Sequence, residues 1–295
     1  MKILVFGSLN IDKVYALRDF VRPGQTISAE SMSLFCGGKG FNQAISLRRA
    51  GNAVYFAGAV GQDGQMLLDK LRENGVDHAF VKQTSGATGH AIIQVNDDGQ
   101  NCIIILAGAN GEITKENVHD TLSHFSAGDL IVLQNEVSQV PEMIRCAHER
   151  GMIVAFNPSP YDEKIAECDI SCVDYLLVNE TEGAAMAGET EPDAILDALH
   201  VRYPRLNVVL TLGSDGSVYQ SSTGERFRGG VHRVQAVDST AAGDTFTGFF
   251  LSEMLKHKDV QRALQTAAVA AGVSVSRKGA EPSIPWYREV EDMIE

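Results

Sequence analysis

The residues best suited to chemistry lie in the stretch "AVDSTAAGDTF", residues 236–246. There Asp238 and Asp244 stand six positions apart, and Ala241, Ala242 and Gly243 immediately precede the second. Stripping side-chain bulk from in front of a carboxylate lets the backbone come close to something else. Where such a stretch opens a helix, its unbonded N–H groups and the positive end of its dipole gather at one place, which suits an anion. An aspartate held beside an anion site is an unfavourable electrostatic choice unless it takes part in a reaction.

Three further motifs carry residues of the right types. "FCGGKGFNQA" sets Gly37, Gly38 and Gly40 around Lys39, with Asn42 one turn on. "LVNETE" spaces Asn179 and Glu182 at i, i+3, so both can face one side of a helix. "VVLTLGSDG" ends an apolar run at Thr211 and turns through Gly213, Ser214 and Gly216. Each has a plain structural reading: a glycine turn, a helix cap followed by a solvated acidic face, a tight turn, and for Asp238 a cap on the turn before the last large helix. The spacing of "GGKG" matches neither the Walker nor the dinucleotide-binding fingerprint. What weakens the plain readings is that all four fall at the ends of predicted strands.

Those strands set the expected fold. "KILVFG", "DLIVLQ", "MIVAFN", "DYLLVN" and "NVVLTL" are apolar runs of strand length, and from about residue 115 onward they alternate with amphipathic helical sequence. The pattern predicts an α/β domain with a mainly parallel central sheet and covering helices, spanning 1–295. Residues 13–35 and 79–106 read instead as short strands, the last two, "HAIIQV" and "NCIIIL", joined by the turn "NDDGQ", and are expected to form a small β lid on that domain. The stretches 241–256 and 259–275 predict long helices with alanine-rich faces. In open α/β sheets ligands bind beyond the carboxyl ends of the strands, where all four motifs fall.

Composition bounds the partners. With 25 basic against 38 acidic residues the chain carries a formal charge of −13, which repels a polyphosphate backbone, so no nucleic acid is expected and any anionic substrate needs local positive groups. Cys36, Cys102, Cys146, Cys168 and Cys172 form no C-x-x-C pair and no H-E-x-x-H occurs, so neither a disulfide frame nor a zinc site is indicated and a reducing cytoplasm is expected. No apolar run approaches the roughly 18 residues of a membrane span.

Taken with "GSLNID", "AGAN", "LQNE" and "SRKGAEPSIPW", these motifs occur in the order and spacing of the PfkB carbohydrate kinases, which the chain resembles nearly end to end. "AAGDTF" and "GGKG" are the most specific to that family, and "SRKGAEPS" points to its ribokinase branch. The resemblance implies a three-layer α/β/α fold with a small lid, and an ATP-dependent kinase in which Asp244 takes the proton of a sugar's primary hydroxyl as that oxygen attacks the γ-phosphate. Backbone N–H groups of Ala241, Ala242 and Gly243 would receive the transferring phosphoryl. Asn10, Asp12, Gly38, Lys39, Asn42 and Glu136 match the family's sugar-binding positions, Asp12 and Glu136 as acceptors and Lys39 and Asn42 as donors. Asn179 and Glu182 would order Mg2+ through water, and Thr211, Gly213, Ser214, Gly216 and Gly243 would line the nucleotide. A monovalent cation, K+, would take Asp238 and Ser283 with carbonyls of Thr240, Ser274, Arg277 and Gly279.

D-ribose is the expected sugar, because Asn10 and Asp12 can both bond ring hydroxyls. The alternatives are a kinase of deoxyribose, a ketohexose or a nucleoside, and a non-catalytic sugar or nucleotide sensor. Phe41 and Ala267 depart from residues common in the family, the first expected to narrow or reshape the sugar side and the second, in place of a histidine often found near adenine, to alter nucleotide preference. A lid a few strands wide cannot bury both of its faces, so a homodimer packed through the lids is expected, hinged at Gly37 and Gly38.

Overall fold

The computed structural model describes residues 1–294. The chain begins with β1 (Ile3–Phe6), β2 (Asn10–Ala16), β3 (Ser31–Gly37), helix α1 (Lys39–Arg49), β4 (Val54–Val60), α2 (Gln65–Glu73) and β5 (Asp77–Gln83). It continues through β6 (Gly89–Val95), β7 (Asn101–Leu106), α3 (Lys115–Leu122), β8 (Leu130–Gln134), α4 (Val140–Glu149) and β9 (Ile153–Asn157). Then follow β10 (Tyr175–Asn179), α5 (Glu180–Ala187), α6 (Pro192–Arg202), β11 (Asn207–Thr211), β12 (Ser217–Gln220) and β13 (Arg226–Gly229). The C-terminal helices are α7 (Ala242–His257), α8 (Val260–Val275) and the short α9 (Tyr287–Glu291).

A nine-stranded sheet runs β13-β12-β11-β10-β9-β8-β1-β4-β5, parallel except for the β11-β12-β13 hairpins at one edge. Its central strands are apolar without a break because both faces are covered. Along β1, Ile3 and Val5 join the core under α1, α7 and α8, whereas Leu4 and Phe6 join the core under α3 to α6; Leu130 and Val132 of β8 divide from Ile131 and Leu133 in the same way. Two-residue periodicity thus reappears as a division between two cores. No helix among the described residues is long and apolar enough to cross a membrane.

The second sheet runs β3-β2-β6-β7. It corrects the expected lid boundaries. Residues 79–83 belong to β5, which pairs with β4 at the edge of the large sheet, so the small sheet draws on residues 10–16, 31–37, 89–95 and 101–106. The sequence 77–83 holds only Phe80 and Val81 as strong strand formers, and the parallel partner that β4 offers decides which sheet recruits it. Beginning the small sheet at Asn10 places Asn10 and Asp12 on it.

Candidate active site

The chain leaves β1 toward β4 and β5 on one side, while β8, β9, β10 and β11 extend the sheet on the other. The crevice at that reversal is where such sheets bind ligands. Ser8, just past β1, donates its hydroxyl to Glu136 Oε2, just past β8, and the same carboxylate oxygen accepts the amide of Lys39 at 2.8 Å. Gly38 carries the turn from β3 into α1 at φ 98°, a conformation costly for other residues. The start of α1 then lies against β1 so closely that a Cβ on Gly40 would come within 2.7 Å of Gly7 Cα. A Cβ on Gly37 would collide with the Asp12 carboxylate.

Asp244 lies in the first turn of α7, 7% exposed. Its Oδ1 accepts from Gln43 Nε2 at 2.9 Å and its Oδ2 from Asn42 Nδ2 at 3.1 Å. Gln43 also donates to Asn157 Oδ1 at 3.2 Å and accepts from Gln134 Nε2 at 2.7 Å, and Asn157 is anchored to the Leu177 carbonyl at 2.8 Å. An amide network drawn from α1, β8 and β9 therefore orients the carboxylate. One N–H of the Asn42 amide serves Asp244, the other stays available as a donor, and its buried Oδ1 is without a partner.

Ala241, at φ 62°, turns the chain into α7, and the Ala242 amide donates to the Ser239 carbonyl at 3.2 Å. This modifies the expected anion nest, since the Ala242 N–H closes a turn. The amides of Gly243 and Asp244 remain in the first helical turn, where no carbonyl four residues earlier is available. A Cβ on Gly243 would meet nothing within 4 Å.

Two cavities meet at this point. One of about 260 Å3 is lined by Lys39, Asn179, Glu182 and Asp244, the other of about 760 Å3 by Gly213, Ser214, Gly216, Arg233 and Gly272. Thr211, Ser239, Ala242, Gly243 and Phe246 line both. Asn10 and Glu136 face a third, of about 690 Å3, toward the small sheet. The two family departures lie elsewhere: Phe41 and Ala267 are fully buried in the core and line none of these spaces, the face of α8 toward the larger cavity being Ala268, Ala271, Gly272 and Val275. Phe41 projects from the opposite side of α1 to the one that presents Lys39 and Asn42, and 267 is one residue off the lining face of α8.

The site is strongly acidic. Burial pushes the Asp12 carboxyl up to about 7, and nearby Glu136 adds to it. Burial likewise raises Glu136 despite its bonds from Ser8 and Lys39. At Lys39 burial disfavours the charge, but Asp244, Glu136 and Glu182 outweigh it and hold the ammonium above its ordinary value. Asn179 and Glu182 form a reciprocal helix cap, Asn179 Oδ1 accepting from the Glu182 amide at 2.9 Å and Glu182 Oε2 from the Asn179 amide at 3.0 Å. The capping reading therefore holds, while Glu182, 5% exposed, also lines the smaller cavity.

Asp238 Oδ1 accepts from the amide and hydroxyl of Thr240 at 2.9 and 2.6 Å, and its Oδ2 from the Gly279 amide at 2.9 Å. Burial raises its pKa, and these bonds more than offset that. The hydroxyls of Ser274 and Ser283, both buried, lie 2.8 Å apart. The loops 237–240 and 274–283, distant in sequence, are thus joined. Asp238 does cap a turn here, as its plain reading has it.

Sequence reasoning missed Gln43, Gln134, Asn157, Asn110 and Ser8 as site residues. Asn110 donates to Asn10 Oδ1 at 2.8 Å and so orients it. Gln43, Gln134, Asn110 and Ser8 lie within the motifs already singled out, and adjacent buried amides in "FNQ" are the signal available for Gln43; nothing local marks Asn157.

A mainly parallel sheet with a buried carboxylate in the first turn of a helix, on the turn shared by two cavities, is an α/β arrangement suited to group transfer between two small molecules. The model of the pfkB family of carbohydrate kinases matches residues 1–287, and the chain belongs to that family. It is 34% identical to the ribokinase of Schizosaccharomyces pombe, with 99% of this chain and 97% of that one covered. Its fold superposes on the ribokinase of Thermotoga maritima with a TM-score of 0.89 at 34% identity, covering 99% of each chain. For Arabidopsis thaliana ribokinase complexed with ribose and ATP the TM-score is 0.89 at 30% identity, covering 100% of this chain and 98% of that one.

Proposed function

We propose that the protein transfers the γ-phosphoryl of ATP to the 5-hydroxyl of D-ribose, giving ribose 5-phosphate. The observation that carries this reading is the placement of Asp244: a buried carboxylate with both oxygens oriented by amides, on the helix turn shared by the two cavities. Asp244 accepts the hydroxyl proton while that oxygen attacks phosphorus, and the amides of Gly243 and Asp244 meet the charge that spreads over the phosphoryl oxygens. Asn10, Asp12, Lys39, Asn42 and Glu136 hold the sugar, with the unpartnered Oδ1 of Asn42 accepting from a hydroxyl. Thr211, Gly213, Ser214 and Gly216 border the nucleotide, and Arg233 supplies a cation at that cavity.

Glu136, Glu182 and Asp244 surround the Lys39 ammonium, so a bound polyphosphate needs further positive charge. Mg2+ would offset the charge of the phosphate oxygens, and Asn179 and Glu182, which line the smaller cavity, would order its water shell. Potassium would be held by Asp238, the Ser283 hydroxyl and carbonyls of Thr240, Ser274, Arg277 and Gly279, an oxygen-rich set that suits a large, weakly hydrated ion. Its charge would steady the loop leading into α7.

The small sheet supports a homodimer, formed in the cytoplasm where ATP is at hand. Register places Leu34 and Ile104 on one face and Phe35, Ile103 and Ile105 on the other, all between 41% and 61% exposed. Exposed apolar side chains on both faces favour a second small sheet as cover. The test of the function is an ADP-release assay across ribose, deoxyribose, ketohexoses and nucleosides. D-ribose is expected to give the highest kcat/KM; a tenfold preference for another acceptor would replace the sugar, and absence of turnover with all of them would favour the sensor reading.

A further inference from the structure

We propose that α3 and α4 carry a binding site for a thiophilic divalent cation, with Zn2+ as the fitting ion, built from His119, Glu142 and Cys146. Glu142 and Cys146 stand one turn apart on α4 and face the same way. His119, in the last turn of α3, reaches across to them. Its Nε2 lies 2.9 Å from Glu142 Oε1, and Cys146 Sγ lies 3.3 Å from that oxygen and 3.8 Å from His119 Nδ1. The ligand atoms all fall within 4.8 Å of one another. An ion takes one ring nitrogen of His119 and, being tetrahedral with bonds of about 2.0–2.3 Å, separates its ligand atoms by roughly 3.3–3.8 Å, so a turn of the imidazole and a shift on the order of 1 Å enclose one.

The donor set selects the ion. A thiolate, an imidazole and a carboxylate suit Zn2+ or Cd2+, whereas Mg2+ requires oxygen ligands throughout. Three protein ligands leave one position for water. Burial is graded, with Cys146 4% exposed, the Glu142 side chain 11% and that of His119 51%, so the site has a protected floor and an open entrance. The three residues line none of the cavities of the active site. On binding, the thiol proton passes to solvent.

Arg145 now neutralises Glu142, with Nη2 2.6 Å from Oε1 and Nε 3.3 Å from Oε2. It also holds Glu149 through Nη1 at 2.6 Å, a second partner to which it can withdraw when an ion takes Oε1. The ordinary alternative is a surface ion-pair network beside a buried thiol.

Titration of the purified protein with Cd2+, followed by the ultraviolet charge-transfer band of the thiolate, distinguishes the two. One Cd2+ per chain is expected, displaced by Zn2+. Binding should be lost in Cys146→Ser, weakened about tenfold or more in His119→Ala, and unchanged in Cys102→Ser, which alters an exposed thiol of the small sheet. Zn2+ should also raise the thermal midpoint of the unaltered protein and not that of Cys146→Ser. A band that persists in Cys146→Ser, affinity unaltered in His119→Ala, or no band at all would overturn the site.

Discussion

Gln43 Nε2 lies 2.9 Å from Asp244 Oδ1, a bond between side chains 201 positions apart that joins α1 to α7. Gln43 is fully buried, and its other bonds, to Gln134 and Asn157, fix the direction from which it approaches. The carboxylate read as the base is therefore held in one orientation before any substrate arrives. Gln43→Leu removes a hydrogen bond to a charged group, worth about 1.5–3 kcal/mol, and should lower kcat by roughly tenfold to a hundredfold. Steady-state kinetics with the KM for sugar changed less than kcat would place Gln43 as a positioning residue. An unchanged kcat would contradict that.

Asp244→Asn should cut turnover by about two to four decades, equivalent to roughly 3–5 kcal/mol of barrier. Both carboxylate oxygens now accept from amide donors, so the variant sets one NH2 against another. A fall in stability of about 1–3 kcal/mol should accompany the loss of rate. Asp244→Ala, which introduces no competing donor, serves as the second variant. Turnover within a few-fold of the unaltered protein in either would remove Asp244 from the role of base.

Burial, and then Glu136, push the Asp12 carboxyl up to about 7. As the carboxylate is the acceptor needed for a sugar hydroxyl, kcat/KM should fall as pH drops below about 7, and Asp12→Asn should flatten that limb. Stability runs the other way. The folded pKa lies above the ordinary value of 3.8, so the folded state binds more protons between these values and stability is lost as pH rises through that window. At pH 8, Asp12→Asn should therefore be more stable than the unaltered protein, by about 1 kcal/mol or more on chemical denaturation. Equal stability at pH 8 would show that the carboxylate is not held at a cost.

Asp238 ties the loop before α7 to Gly279. Initial rates measured at constant ionic strength should be several-fold higher with K+ than with a bulky organic cation, chiefly in kcat. Asp238→Asn keeps one acceptor for the turn and should lose most of this activation. Identical rates in Na+, K+ and the organic cation would eliminate the monovalent site.

Ile103 and Ile104 point to opposite faces of the small sheet and are 51% and 61% exposed. The protein should sediment as a dimer at micromolar concentration, and Ile103→Lys combined with Ile104→Lys should shift it to monomer while the large sheet stays folded. A monomeric unaltered protein would refute assembly through this sheet.

The strands of the large sheet were legible in the sequence because a parallel strand covered on both faces must be apolar along its buried length, as "LIVL" and "VVL" are. The turn into α7 was legible as well, since Ala241, Ala242 and Gly243 leave few other uses for the chain there. Local sequence could not assign residues 77–83 to a sheet, because strand propensity carries no information about partner. Nor could it tell that Phe41 faces the core and Gln43 the site, a matter of helix phase around α1 that is set by how Gly40 seats against Gly7. Motif order singled out Asp244, Asp12 and Asp238 as candidates for chemistry. Their environments arose from residues far away in the chain: Gln43 and Asn42 on Asp244, Glu136 beside Asp12, Gly279 on Asp238. Charge state and orientation depend on distance and burial, and those quantities exist only once the chain has packed.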